Sequence, residues 1–175
     1  TINTGIYVLE PQALERVPPR TNVDFARDLF PQMLREGAAL FGHVAQGYWR
    51  DVGNLDEYRR AHEDVLAGRV QIVLPGQRRD LEKATLWGES GAAVARDVRF
   101  GGTVLLGRGV RVGRGAVLEN VVVGAGGEIG EGAELRNVVL WEGCRVGEGV
   151  QMTETVCGAG VRVGDRALIR EKTIL

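Results

Sequence analysis

Four consecutive blocks of seventeen residues decide the fold of this chain. They read LGRGVRVGRGAVLENVV (106–122), VGAGGEIGEGAELRNVV (123–139), LWEGCRVGEGVQMTETV (140–156) and CGAGVRVGDRALIREKT (157–173). Each block divides into steps of six, six and five residues, and every step begins with an apolar residue. This repeat predicts a solenoid in which each block forms one coil and three steps complete one triangular turn.

Two columns of side chains are predicted to fill the axis of this solenoid. The first column consists of the residues that begin the steps: Leu106, Val112, Leu118, Val123, Ile129, Leu135, Leu140, Val146, Met152, Cys157, Val163 and Ile169. The second column lies four residues later and is small or β-branched almost throughout: Val110, Ala116, Val122, Gly127, Ala133, Val139, Cys144, Val150, Val156, Val161, Ala167 and Thr173. Apolar columns predict a dry axis, in which both cysteines are buried free thiols.

Glycines and charges repeat at fixed places between these columns. Glycine follows each middle opening, where we expect the backbone to turn a corner with positive φ. These glycines are Gly113, Gly130, Gly147 and Gly164. Opposite charges recur one coil apart, as in Arg111 with Glu128 and Glu128 with Arg145. They predict ladders of exposed ion pairs that help to fix the stacking register.

The composition limits the classes of function. The chain has 175 residues, a formal net charge of −1 and 44% hydrophobic residues. No basic excess points to nucleic acid as a partner, and no apolar run approaches the ~20 residues that span a membrane. Because the two cysteines form no CxxC pair and no signal peptide is visible, a cytoplasmic location is expected.

The segment before the repeat has a different pattern. Residues 2–9, 40–45 and 48–52 are predicted strands, and residues 11–17 a short helical turn. So few strands need partners from a larger sheet, which favours the tail end of an α/β domain. We therefore expect three parts: the C-terminal segment of that domain (1–68), a linker with irregular entry coils (69–105) and the solenoid (106–175).

Two helices are predicted in the first part from their capping residues. Asp24 is predicted to cap a helix that ends at Gly37. Asn54, with Glu57 three residues later, forms a capping-box pattern that begins a second helix, and Gly68 ends it. This second helix leads from the first part of the chain towards the repeat.

Three motifs in the first part resemble the C-terminal portion of the catalytic domain of sugar-phosphate nucleotidyltransferases. They are NTGIYVLEP (3–11), DF followed by DLFP (24–31) and GYWRDVG (47–53). The motif order and the attached repeat are most similar to the mannose-1-phosphate guanylyltransferase-like branch. This resemblance implies a mainly β protein: a left-handed parallel β-helix of 17-residue coils, preceded by the C-terminal piece of an α/β nucleotidyltransferase domain. The left-handed sense rests on the resemblance alone.

The resemblance also implies an activity and site residues. Family members convert an NTP and a sugar 1-phosphate into an NDP-sugar and pyrophosphate; GDP-mannose is the expected product, with dTDP-glucose or ADP-glucose as alternatives. The family's sugar-phosphate-binding motif maps onto Asn3, Thr4 and Gly5. Its Mg²⁺-binding aspartate, in a W-x-D-x-G motif, maps onto Asp51. A carboxylate is a suitable hard ligand for Mg²⁺, which offsets phosphate charge during nucleotidyl transfer.

Simpler structural roles remain open for these residues. Asp51 could shape a turn before Gly53, and Asn3 could form hydrogen bonds at the edge of a strand. Tyr48 and Trp49 could be packing residues. In the family, the partner aspartate, the glycine-rich nucleotide loop and the phosphate-binding lysines lie upstream of the segment that matches here. The stretch GRGVR (107–111) imitates that loop, but the repeat explains it. The resemblance therefore implies an N-terminal nucleotide-binding domain upstream, and we expect this chain alone to be inactive, with no catalytic residue of its own assigned.

Two other functions remain as alternatives. Many proteins with hexapeptide repeats are acyltransferases that use a histidine between coils as a base. Here both histidines, His43 and His62, precede the repeat, and no long loop interrupts it, so this reading is disfavoured. The other alternative is a non-catalytic assembly or regulatory module. It is compatible with the enzyme reading, and a homo-oligomer formed through the β-helix is expected.

Overall fold

The computed structural model describes residues 2–171, 173 and 174, which fall into two compact units, 1–47 and 48–175. The first unit contains a helical turn α1 (Pro11–Leu14) and a π-helical turn (Phe25–Leu29) that continues into α2 (Phe30–Arg35). The second unit contains α3 (Leu55–Leu66) and the strands. None of the helices in the described residues combines the length and apolar character that a bilayer span requires.

The strands of the second unit form the solenoid. In chain order they are β1 (Gln77–Leu81), β2 (Ala84–Gly88), β3 (Ala93–Val94), β4 (Arg99–Leu106), β5 (Arg111–Val112), β6 (Val117–Val123), β7 (Glu128–Ile129), β8 (Glu134–Leu140), β9 (Arg145–Val146), β10 (Gln151–Cys157), β11 (Arg162–Val163), β12 (Leu168–Arg170) and β13 (Thr173–Ile174). The long strands stack in the order β1-β2-β4-β6-β8-β10-β12, with β13 also on β10, and the short strands stack as β3-β5-β7-β9-β11.

The pairing of these strands confirms the predicted fold class. All described pairs are parallel except the hairpin β1–β2. Leu118 pairs with Leu135, and Leu135 with Met152, so successive coils are offset by seventeen residues. The chain is therefore mainly β. Its parallel β-solenoid has five coils, one for each strand of the short-strand sheet.

The solenoid begins one coil earlier than the regular sequence repeat. Leu86 pairs with Val104, so β2, β3 and β4 form a coil that stacks in parallel on the next one. Leu86 packs against the axial core, whereas Ile72 and Val73 are exposed and line no entry coil. The expected division of the chain near residues 68 and 105 stays a prediction.

The axial core confirms the first column of predicted residues, and it confirms the second column in the first two steps of each coil but corrects it in the third step. The step-opening residues are buried from Leu106 to Cys157, and those of the last coil, Val163 and Ile169, are partly buried. In the third step of each coil, the inward residues lie one position earlier than predicted: Val121, Val138 and Thr155. The predicted residues face outward instead: Val122, Val139 and Val156.

A left-handed residue in each long strand causes this shift. Asn120 and Asn137 have φ of 52° and Glu154 has φ of 49°. A residue with positive φ interrupts the alternation of side chains between the two faces of a strand, so the next residue points inward. Asparagine tolerates this conformation well, and the Asn120 Nδ2 donates to Asn137 Oδ1 one coil away at 3.2 Å.

Helix α3 covers the outward-facing strip that results. It packs near β4, β8 and β10. The Tyr58 ring lies 6.0 Å from the Trp141 ring in an edge-on arrangement, and Arg59 lies 3.9 Å from Glu154. Val139 and Val156 face away from the axis but are still buried. Because α3 covers this wall, the wall can carry apolar residues.

The predicted positive φ of the middle glycines is wrong. None of Gly113, Gly130, Gly147 and Gly164 has positive φ; that conformation falls two residues later, at Gly115, Gly132, Gly149 and Arg166. A Cβ on Gly130 would lie 2.5 Å from the carbonyl carbon of Gly147 in the next coil. Glycine is needed here because neighbouring coils approach closely, not because the backbone is left-handed.

The first unit forms its predicted helices but not its predicted strands. Asp24 Oδ1 accepts the backbone N–H groups of Ala26 and Arg27 at 2.8 and 2.9 Å, which confirms the predicted cap. In the described part of this unit no residue lies in a strand, and residues 48–52 are likewise unpaired. Val8 is 99% exposed and Phe41 93% exposed. A strand needs a hydrogen-bonding partner, and no described residue supplies one here.

Candidate functional site

The Asn3-Thr4-Gly5 segment forms a turn closed by its asparagine. Asn3 Oδ1 accepts the backbone N–H of Gly5 at 3.0 Å, and Gly5 has φ of 73°. This Asx turn needs glycine at its third position, because the left-handed conformation is costly for other residues. The Asn3 Nδ2 group also donates to the Tyr7 hydroxyl at 2.8 Å.

Tyr7 fixes this turn to the small core of the first unit. Its ring meets Phe30 edge-on at 4.8 Å and lies 6.2 Å from Phe25. A shallow open pocket lies beside it, lined in part by Asp24 and Asp28. Both carboxylates have structural partners, since Asp24 caps the helix and Asp28 Oδ2 accepts the Asp24 N–H at 2.9 Å. The turn is therefore an exposed polar feature that is available to a ligand.

Asp51 belongs to the second unit and is exposed. Among the described residues it makes no ion pair and no hydrogen bond. No group of three or more potential ligands for a metal ion occurs in the described part of the chain. A single free carboxylate still fits Mg²⁺, which protein sites often hold through one or two carboxylates plus substrate phosphates and water. Asp51 is suited to be one such ligand.

The neighbours of Asp51 are held by α3. The Tyr48 hydroxyl donates to Asp64 Oδ2 at 2.6 Å, and the Arg50 Nε donates to the same oxygen at 2.9 Å. Arg50 also donates to Glu57 Oε2 at 2.5 Å. From the other side, the Arg69 Nε donates to Asp64 Oδ1 at 2.7 Å. Tyr48 and Arg50 are thus structural anchors of this segment.

These contacts shift the ionisation of the network. Hydrogen bonds from Tyr48 and Arg69 lower the pKa of Asp64 to about 2. The bond to Asp64 raises the pKa of Tyr48, and the Arg50 guanidinium lowers that of Glu57. Around neutral pH the network therefore contains ionised carboxylates, a neutral tyrosine and charged arginines.

Comparison with known proteins places these features in one family. Residues 84–175, more than half of the chain, match the family model described as GMPPB C-terminal domain. The chain belongs to this nucleotidyltransferase family. Residues 1–68 match the model described as Nucleotidyl transferase, which agrees with the motifs that include Asn3 and Asp51.

The relatives of this chain differ in the substrates that their names give. A mannose-1-phosphate guanylyltransferase of Mycobacterium tuberculosis is 33% identical over 122 residues, covering 69% of this chain and 33% of that protein. A UTP–glucose-1-phosphate uridylyltransferase of Synechocystis is 33% identical over 76 residues, 43% of this chain and 20% of that protein. A glucose-1-phosphate adenylyltransferase of Desulfitobacterium hafniense is 25% identical over 142 residues, 67% of this chain and 34% of that protein. The chain spans about a third or less of the length of these curated relatives.

The sequence did not indicate the role of Asp64, which accepts hydrogen bonds from Tyr48, Arg50 and Arg69. The sequence interpretation assigned Arg50 no role and treated Tyr48 as a packing residue. One signal could have pointed to the network: Glu57 and Asp64 are seven residues apart on one predicted helix and therefore share a face. A pair of acidic residues on one helix face can bind a basic residue from the segment that leads into the helix.

The two cysteines of the described solenoid are not exposed nucleophiles. Cys144 and Cys157 are both buried free thiols, as predicted. Burial raises the pKa of Cys157 to about 11 and also raises that of Cys144. His62 lies in α3, where its Nδ1 is 3.0 Å from the Tyr58 carbonyl oxygen. The cysteines are packing residues of the axis.

Proposed function

We propose that this chain is the C-terminal part of a sugar-phosphate nucleotidyltransferase that forms GDP-mannose and pyrophosphate from GTP and mannose 1-phosphate in the cytoplasm. The observation that carries this proposal is the match to a mannose-1-phosphate guanylyltransferase over 69% of the chain. The Asx turn at Asn3 and the free carboxylate of Asp51 support it, because both stand at the positions of family site motifs.

Asn3, Thr4 and Gly5 are the residues that we propose for the sugar phosphate. The turn presents backbone groups without a bulky side chain at Gly5, where a Cβ would meet no atom within 4 Å. Because Asn3 is already bound to Gly5 and Tyr7, the turn is preorganised before a ligand arrives. A preorganised polar turn binds a sugar hydroxyl or phosphate with less loss of conformational entropy.

Asp51 is the residue that we propose as a ligand of Mg²⁺. Magnesium, when bound, offsets the charge of the reacting phosphates and orients them for in-line displacement. The part of this chain in that step is to keep the Asp51 carboxylate exposed and free of internal partners. We propose that an upstream nucleotide-binding domain supplies the other ligands and the nucleotide site, so that this chain alone is inactive.

A substrate panel tests the proposal. The longer protein, in which the nucleotide-binding domain precedes this chain, is assayed for pyrophosphate release with GTP, ATP, dTTP or UTP and with mannose 1-phosphate or glucose 1-phosphate. We expect the highest kcat/KM for GTP with mannose 1-phosphate, and no turnover by the 175-residue chain. A higher kcat/KM for another pair, or robust synthesis by the chain alone, contradicts the proposal.

A homo-oligomer formed through the solenoid is the second part of the proposal. Its walls carry exposed ion pairs such as Arg111 with Glu128 and, at 3.9 Å, Arg145 with Glu128. Ion pairs of this kind fit the polar rim of a contact between two rods, because charged residues are depleted from the core of an interface. Sedimentation velocity of the chain across a concentration series is expected to show a dimer or larger species. A monomer at every concentration contradicts this part alone.

A further inference from the structure

Asp64 is the one charged residue that is buried among those the structure describes, with 5% of its surface exposed. A buried carboxylate is costly unless donors surround it. Asp64 has three such donors, Tyr48, Arg50 and Arg69.

Two of these donors come from the segment that carries Asp51. Residues 48–53 lie in no helix or strand, and no backbone hydrogen bond joins them to another described residue. The side chains of Tyr48 and Arg50 therefore supply the hydrogen bonds that join this segment to the rest of the described second unit. Both reach the same oxygen of Asp64, at 2.6 and 2.9 Å.

Helix α3 in turn rests on the solenoid. Tyr58 packs edge-on against Trp141, and Arg59 lies 3.9 Å from Glu154. A continuous set of contacts therefore runs from the solenoid wall through α3 and Asp64 to the segment of Asp51. All of these residues lie within the second compact unit.

The network also controls the charge next to Asp51. The Arg50 guanidinium is occupied by Asp64 and Glu57. Without Asp64 it would lose its best buried partner, while Asp51, the next residue in the chain, offers a free carboxylate. An arginine paired with Asp51 would compete with a cation for that carboxylate.

We propose that Asp64 is a positioning residue for Asp51. By binding Tyr48 and Arg50, it holds the 48–53 segment on α3, keeps Arg50 away from Asp51 and leaves the Asp51 carboxylate open to a phosphate-bound divalent cation. The solenoid thereby serves as the platform for a cation ligand. This inference rests on the proposed function, in which Asp51 binds Mg²⁺.

The first test measures backbone motion in the 175-residue chain by ¹⁵N relaxation. We compare Asp64→Asn with Glu63→Gln, a matched control that removes the same charge from the adjacent position of α3, where Glu63 pairs with Arg59. We expect order parameters of residues 49–53 near ~0.8 in the wild type and the control, and below ~0.6 in Asp64→Asn. Equal values in all three proteins overturn the proposal.

The second test measures the cation requirement in the longer protein. Asp64→Asn is expected to raise the Mg²⁺ concentration for half-maximal pyrophosphate release about 10-fold or more, with a smaller loss of kcat at saturating Mg²⁺. A role confined to stability would lower the melting temperature without this split. An unchanged Mg²⁺ requirement in Asp64→Asn therefore overturns the proposal.

A milder variant keeps the test decisive if Asp64→Asn does not fold. Tyr48→Phe keeps the ring and removes the 2.6 Å hydrogen bond to Asp64. It is expected to shift the order parameters and the Mg²⁺ requirement in the same direction by a smaller factor, and wild-type values for both overturn the proposal. If the wild-type longer protein releases no pyrophosphate, the proposed function fails, and the relaxation data still decide whether Asp64 holds the segment.

Discussion

Leu118 in the solenoid is fully buried, whereas Val8 in the first unit is 99% exposed. In the solenoid, each aliphatic residue meets its counterpart one coil away, so the repeat supplies its own partners. Among the described residues of the first unit, only Ala13, Leu29 and Met33 are buried as a core. A solenoid is therefore stabilised by contacts between coils that follow one another in sequence, whereas a segment of an α/β domain depends on strands from elsewhere in its sheet.

The largest expected effect comes from a charge on the solenoid axis. Val146→Asp would bury a carboxylate among aliphatic side chains, where no donor is available, at a cost of more than about 3 kcal/mol. Melting followed by circular dichroism should show loss of the β-solenoid. The matched change at an exposed residue, Val8→Asp, should change the free energy of unfolding by no more than about 0.5 kcal/mol. An unchanged melt for Val146→Asp would refute the axial assignment.

A second test uses two of the glycines that follow the middle opening of a coil. Gly130→Ala places a Cβ 2.5 Å from the backbone of Gly147, so we expect a loss of about 1–3 kcal/mol in the free energy of unfolding. Gly164→Ala is the control, because its Cβ meets no atom within 4 Å and its φ is not positive. Denaturant titration measures both variants. Equal losses would mean that backbone conformation, rather than the approach of the next coil, selects glycine.

Acid should weaken the second unit through Asp64. The pKa of Asp64 is lowered from 3.8 to about 2 by its hydrogen bonds, so the unfolded chain binds this proton at higher pH than the folded one. The stabilisation is complete above about pH 4 and is lost as the pH falls through about 2. Between those values, the melting temperature of the wild type should fall more steeply than that of Asp64→Asn. Parallel curves would contradict the assignment, and Glu63→Gln should follow the wild type.

The smallest expected effect concerns the exposed ion pairs of the solenoid wall. Arg111 pairs with Glu128 at the surface, and Arg111→Ala should cost less than about 1 kcal/mol because solvent and salt screen the pair. The melting temperature at low and at high salt measures this effect. A large, salt-insensitive loss would show that the ladder, and not the apolar axis, holds the coils together.

The sequence predicted most where a residue depends on its own neighbours. The coil length, the burial of the step-opening column and the caps at Asp24 and Asn54 follow from local patterns, and the structure confirms them. The prediction of the inward residues in the third step was wrong by one position. The left-handed backbone at Asn120 and Asn137 shifts the alternation of side chains between the two faces of the strand, and the repeat of six, six and five residues does not reveal this shift. The left-handed sense of the β-helix stays a prediction from the resemblance.

The candidate site was predictable only in part for the same reason. Family motifs pointed to Asn3, Thr4, Gly5 and Asp51, and their roles stay predictions. The Asp64 network depends on contacts between the 48–53 segment, α3 and Arg69. The sequence signals only one side of these contacts, the helix face that Glu57 and Asp64 share; it does not show which residues of another element bind to that face.

The most direct test of the account compares Asp51→Asn with Asp56→Asn in the longer protein. Both changes remove one exposed carboxylate from the same short stretch of chain, but only Asp51 is proposed to hold Mg²⁺. Pyrophosphate release from GTP and mannose 1-phosphate is measured at fixed Mg²⁺. We predict a fall in kcat/KM of about 100-fold or more for Asp51→Asn and less than about 3-fold for Asp56→Asn. A wild-type rate for Asp51→Asn would contradict the account.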